Sequence, residues 1–283
     1  IHLSDLSKED VGEFIGDTLN LKAQDVLPLT EAIFTKALGN MFFTMQALEQ
    51  LVRSNALYYD MMVFRWQWVL SKDGLEELFS NDIVEMVKSK IEQMPSKLQN
   101  ALMVAAHTRS TFDIDTLTEI IITDLPGSVL TRTTLVQLLD LAVFEGLLVN
   151  TAGSEEEYSF AHDRIREAAS TFVSGEALDT LLVHIGNILA KRGVSEIIGE
   201  DWMLFTALHH LNSVPSHYHD SEAKLRLARL NLKTAKLSMG MAAFNNAAQN
   251  AETGIDCLPP DRWERPREIC HELYTIAADA FRR

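Results

Sequence analysis

Apolar residues recur at helical spacing over most of the chain. Val11, Phe14, Ile15, Thr18 and Leu19 predict a helix over 9–19, with Ser7 and Asp10 placed to cap it. Pro28 opens a second helix that runs through Leu38. The Gly39-Asn40 corner then reads as a C-cap followed by an N-cap. A third helix follows over about 41–53, with Phe42, Met45, Leu48, Leu51 and Val52 as its expected buried side. The stretch "LYYDMMVFRWQWVL" breaks this period. Its aromatic and polar residues alternate around Trp66 and Trp68, which predicts a short hairpin or extended segment.

Beyond residue 80 the pattern is denser. "SNDIVEMVKSKIEQMP" predicts a capped amphipathic helix stopped by Pro95, and "SKLQNALMVAAHT" a second helix. "DIDTLTEIII" is a third, entered through Phe112 and capped by Asp113. After the breaker "DLPGS", "TLVQLLDLAVFEG" is a strongly apolar helix ending at Gly146. "LLVNTAGSEEEYSFAHD" then reads as strand, acidic turn, strand. Helices followed by a two-stranded wing are the order of a winged helix. From 176 onward only helical periodicity remains, in segments that predict antiparallel helix pairs and the start of a repeat array. Ala235, Ala242, Ala243, Ala247 and Ala251 provide a small-residue side for close packing there. The fold expected is mainly α, with divisions near 80 and 175.

The segment "YSFAHDRIREAAS" changes period partway along. Tyr158 and Phe160 face one way as in a strand, whereas Ile165, Ala168, Ala169 and Phe172 share one side of a helix. His162 and Asp163 lie at the join. Asp163 is expected to cap a helix beginning at Arg164, and His162 to end the strand. A helix N-terminus also attracts anions, and a histidine beside it can donate to the same anion.

Charge and composition narrow the chemistry. The 283 residues carry a net charge of −15, with the acidic excess concentrated before residue 176, so the positive field needed for nucleic-acid binding is missing. The helix "TLVQLLDLAVFEG", which would read DNA in a winged helix, contains Asp140 and Glu145 and is preceded only by Arg132. No apolar run has bilayer length and no signal peptide opens the sequence, so no membrane partner is expected. Cys257 and Cys270 read as free thiols of a cytoplasmic protein. His209, His210, His217 and His219 fall within one short stretch, which invites a metal reading. Adjacent helical residues point about 100° apart, however, and no carboxylate or thiolate completes the set. No metal is therefore expected. No phosphate-binding glycine loop, nucleophile elbow or zinc motif occurs, which leaves the chain without a recognisable catalytic centre.

"LGNMFF", "RWQW", "DIVEMVKSKIEQMP", "FDIDTL", "EGLL", "YSFAHDRIREAA" and "LARLNLKTAKLSMGMAAFNNAAQNAETGIDCL" occur in an order that covers nearly the whole chain. Together they resemble the AAA-type, origin-recognition-like ATPase module of multidomain histidine and serine/threonine kinases, one of the STAND class of signalling ATPases. The resemblance implies a helical lid over 1–80, a winged helix over 81–175 and tetratricopeptide-like repeats over 176–283. It also implies that the chain is a fragment starting just after a P-loop core. That core would bind ATP or ADP with magnesium and be the chain's first partner, and the repeats would bind further proteins. Gly39 and Asn40 match the start of a Gly-x-Pro element near the nucleotide, with Met41 in the proline's place. His162 and Asp163 match a His-Asp pair that holds the diphosphate in the closed state. Two other functions compete with this one, a helical scaffold without nucleotide and a winged-helix transcription regulator.

Overall fold

The computed structural model describes residues 5–68, 83–124, 131–151, 156–195, 200–214, 220–264 and 266–282. The chain is mainly α-helical, with small antiparallel pairs of strands. Two compact units are formed, one from residues 1–102 and 136–172 and the other from 103–135 and 173–283.

In the first unit, α1 (Lys8–Leu19) starts with the expected reciprocal cap. Ser7 Oγ accepts from the Asp10 amide at 3.1 Å, and the Asp10 carboxylate accepts from the Ser7 amide at 3.2 Å. The second helix, α2 (Leu27–Ala37), has its proline in the first turn, as the sequence indicates. The third, α3 (Met41–Arg53), is capped by Asn40, whose Oδ1 accepts from the Phe43 amide at 3.2 Å. Its buried side is only partly the one expected, since Leu48 and Leu51 are buried as expected. Phe43, Ala47, Leu48 and Leu51 are buried, whereas Met45 and Val52 are exposed. Apolar residues occur all around this helix, so periodicity alone cannot select the stripe. Contact with α2 on one side and with the helix at 83–92 on another selects it.

The hairpin follows as expected, with β1 (Leu57–Asp60) antiparallel to β2 (Arg65–Trp68) and Tyr59 opposite Trp66. Its tip, Met61 to Phe64, is exposed. Then come α4 (Ile83–Glu92), α5 (Ser96–Ala106), β3 (Thr111–Asp113), α6 (Ile114–Asp124), α7 (Arg132–Phe144), β4 (Leu148–Asn150), β5 (Glu157–Phe160) and α8 (Asp163–Ser170). This is winged-helix order. It includes one strand, β3, that the sequence reading assigns to a helix approach. Asp113 still caps α6, accepting from the Thr116 amide at 2.7 Å. Within the first unit, α4 packs on α8, and the wing strands pair with Leu148 opposite Phe160. Gly146 ends α7 with φ +74, and a Cβ there would come within 3.2 Å of the Phe42 ring.

The second unit carries the paired helices α9 (Gly175–Gly193), α10 (Asp201–Ser213), α11 (Ser221–Gly240), α12 (Phe244–Asp256) and α13 (Arg267–Arg282). Helices α9 and α10 lie so close that a Cβ at Gly186 would meet Leu211 at 2.7 Å. One at Gly193 would meet Leu204 at 2.9 Å. Between α11, α12 and α13 the core is built from Ala228, Leu232, Ala235, Ala251, Cys270 and Leu273. Ala247 is buried too, but Ala242 and Ala243 are not on a packed face as expected. They form the α11–α12 corner, where Ala242 takes φ +58. Gly240, just before this corner, was the available signal for it. Both cysteines are free, and burial pushes both thiols up.

One polar pair fixes α10 against α11. The side chains of Asn212 and Asn231 exchange two hydrogen bonds of 3.2 Å, and Asn231, which is fully buried, also donates to the Leu227 carbonyl at 3.0 Å. Asn212→Ala leaves the Asn231 carbonyl oxygen without a donor and should cost about 1–3 kcal/mol. Urea unfolding measures it; a loss under about 0.5 kcal/mol would show that water replaces the partner.

Candidate functional site

The site is built where β5 becomes α8. Tyr158 and Phe160 turn inward and anchor the strand, and the Tyr158 hydroxyl donates to Asp140 Oδ1 at 3.3 Å. His162 follows with an extended backbone, φ −157 and ψ 150. The helix begins at Asp163, one residue earlier than expected, and the cap is His162 rather than Asp163. Its Nδ1 accepts from the Arg164 amide at 3.1 Å, and its carbonyl accepts from the Ile165 amide at 3.0 Å. An imidazole nitrogen two bonds out from Cβ reaches the same place as an asparagine oxygen, so histidine serves as a cap in this geometry. Asp163 is left exposed in the first turn, where a carboxylate suits the helix dipole.

This bonding fixes the ring. With Nδ1 accepting, the neutral imidazole carries its proton on Nε2. Among the described residues Nε2 has no hydrogen-bond partner. The edge-to-face contact with Phe43, at 4.9 Å between centroids and 74° between planes, holds the ring's orientation. Phe43 meets Phe42 in the same way at 5.4 Å. Lys90 Nζ lies 5.6 Å from the Phe42 centroid and 3.2 Å from Glu145 Oε2. His162, Phe43, Phe42, Lys90 and Glu145 thus form one continuous row within the first unit.

The Gly39-Asn40 corner joins this row through Phe43, because the amide that closes the Asn40 cap belongs to the residue that supports His162. Gly39 has φ +85, and its carbonyl accepts from the Leu6 amide at 3.0 Å. A Cβ on Gly39 would land on the Leu6 carbonyl oxygen, so only glycine fits. The structure thus links the Asn40 cap to His162 through Phe43, while Gly39 and Asp163 flank the two ends of that link. Sequence reading missed Phe43 and Lys90. Lys90 was detectable as a cation inside the apolar stripe of Val84, Val87 and Ile91 on α4.

Of the histidine cluster, His209 and His210 have their ring centroids 5.7 Å apart. His210 is buried, with Nε2 2.6 Å from the His107 carbonyl, while His217 and His219 lie outside the described residues. Among the described residues no three His, Cys, Asp or Glu side chains are grouped to hold a metal, and no helix is long and apolar enough to cross a membrane.

No family model and no solved structure matches the chain. Among curated proteins, hybrid signal transduction histidine kinase G of Dictyostelium discoideum is 23% identical over 301 residues, covering 91% of this chain and 9% of that protein. The chain is distantly similar to one short segment of a signal-transduction protein.

Proposed function

We propose that the chain is the regulatory C-terminal segment of a STAND-type P-loop ATPase in a cytoplasmic signalling protein. In this reading residues 1–80 are the lid, 81–175 the winged helix and 176–283 the first tetratricopeptide-like repeats. The observation that carries it is the state of His162. Its Nδ1 is used by the α8 cap and its ring is braced by Phe43, which leaves Nε2–H as an oriented and unused donor at a helix N-terminus. The similarity to part of a signalling histidine kinase supports the setting.

ATP or ADP with magnesium, held mainly by the upstream core, would supply the charge difference between two states. Of the residues at this site, His162 fits an anion best, with Asp163 beside it. The Asn40 oxygen is taken by the Phe43 amide and the near surface of Gly39 by Leu6, so the corner's part is to position Phe43. A donor that favours one nucleotide state biases the whole switch by its differential affinity.

The test uses the full-length parent. His162→Ser keeps a competent N-cap but removes the Nε2 donor, and should speed release of a fluorescent ADP analogue by about tenfold or more, the equivalent of one charge-assisted hydrogen bond. Unchanged release would sink the switch. A scaffold function without nucleotide is the second reading, favoured by the groove between α9 and α11. The one cation within α7, Arg132 at its first position, bonds to Asp115 at 2.8 Å, which does not favour the transcription-regulator reading.

A further inference from the structure

We infer that the groove between α9 and α11 receives an acidic, extended segment of a partner protein that carries a large apolar side chain among its carboxylates. The inference uses none of the residues invoked for nucleotide. The groove has a volume of about 530 Å³ and opens to one side. Leu227 and Leu230 form an apolar floor, while Lys191, Arg226, Arg229 and Lys233 stand around it. No carboxylate is among the lining residues.

Charge makes this surface unusual. In a chain of net charge −15, four cations gather on one concavity. Arg226 pairs with Glu222 at 2.9 Å, but both are largely exposed, and such a pair is easily exchanged for another. Lys191, Arg229 and Lys233 have no carboxylate partner among the described residues. Among the described residues no carboxylate neutralises these three, and a bound anion would relieve their mutual repulsion.

Spacing selects the class of anion. Arg226 and Lys233 are two turns apart on one side of α11, about 10 Å along its axis. A single phosphate or carboxylate is too small to meet both. Carboxylates two residues apart on an extended chain share one face about 7 Å apart, a separation that the long Arg and Lys side chains can span. The apolar floor takes the side chain two residues further along the same face. A nucleic-acid strand also spaces its charges, but the acidic surroundings repel a polyanion and the floor offers it little.

The experiment titrates the whole chain into the fluorescein-labelled peptide Glu-Asp-Leu-Glu-Asp-Leu and follows anisotropy. Saturable binding tighter than about 1 mM is expected, weakening as salt is raised. Two controls, the amide peptide Gln-Asn-Leu-Gln-Asn-Leu and the serine peptide Glu-Asp-Ser-Glu-Asp-Ser, should each bind at least about fivefold more weakly. The double variant Arg229→Glu/Lys233→Glu, with helix content checked by circular dichroism, should lose about tenfold or more, and Lys191→Ser alone a smaller factor. The proposal is overturned if binding is absent, if the reversed variant or the amide peptide binds equally well, or if the serine peptide matches the leucine one. Displacement by 1 mM inorganic phosphate would show a simple anion site and overturn it as well.

Discussion

Glu145→Ala is expected to destabilise the first unit by about 3 kcal/mol, whereas Lys90→Met should cost less than about 1 kcal/mol. The asymmetry comes from where the two charges sit. The Lys90 side chain is 6% exposed and Glu145 31%, with 3.2 Å between Nζ and Oε2. Removing the carboxylate strands an ammonium among Phe42 and the apolar stripe of α4, where water cannot replace the lost partner. Removing the ammonium instead frees a carboxylate that already reaches solvent, and methionine refills the space of the lysine stem. In the double variant the methionine should rescue most of the Glu145→Ala loss. Urea unfolding in a Trp202→Phe/Trp263→Phe background, leaving Trp66 and Trp68 as reporters of the first unit, separates the outcomes. Equal losses from the two single variants would show that the pair is not buried in solution.

The second large effect depends on acid. Burial lowers the His210 pKa from its ordinary 6.5 to about 4. The Nε2 contact with the His107 carbonyl opposes this in part, and His209 and the His107 ring add to it. Above pH 6.5 the ring is neutral in both folded and unfolded chains, and its contribution is fully present. As pH falls from 6.5 toward 4, the unfolded chain binds a proton that the folded chain excludes, so stability drops by up to about 1.4 kcal/mol per pH unit. The total is about 3 kcal/mol, and below pH 4 this contribution is flat. His210→Gln keeps an N–H donor for the carbonyl but cannot titrate. Thermal unfolding of both chains at pH 7, 6, 5 and 4 should show the native chain losing ground to the variant through that window. Parallel curves would mean that His210 is protonated in the fold.

Much of the fold was legible because the signals are local. The Ser7 cap, the proline of α2, the hairpin, Asp113 and Gly146 each depend on a few neighbouring residues, and each was read from them. The misses have other causes. Asp163 is the better capping residue by type, but His162 has the extended backbone that a cap requires, and dihedral angles are not written in residue preference. The α3 stripe was chosen by neighbouring elements, and β3 is only three residues long, too short for its alternation to stand apart from the start of α6. For the site, His162 and the corner were found separately. Their meeting through Phe43 is a long-range packing event that neither local pattern contains.

The two close approaches between α9 and α10 have a mechanical consequence. Gly186 seats Leu211 and Gly193 seats Leu204, so the notches on one helix are two turns apart and so are the teeth on the other. Sliding by one residue would swing each leucine onto a position with a Cβ, where helices this close leave no room. The next register that seats any leucine lies two turns away, a displacement of about 10 Å, and it seats only one. The hairpin is therefore indexed: under load or on warming it keeps its setting until it disengages, with no intermediate positions in which to creep.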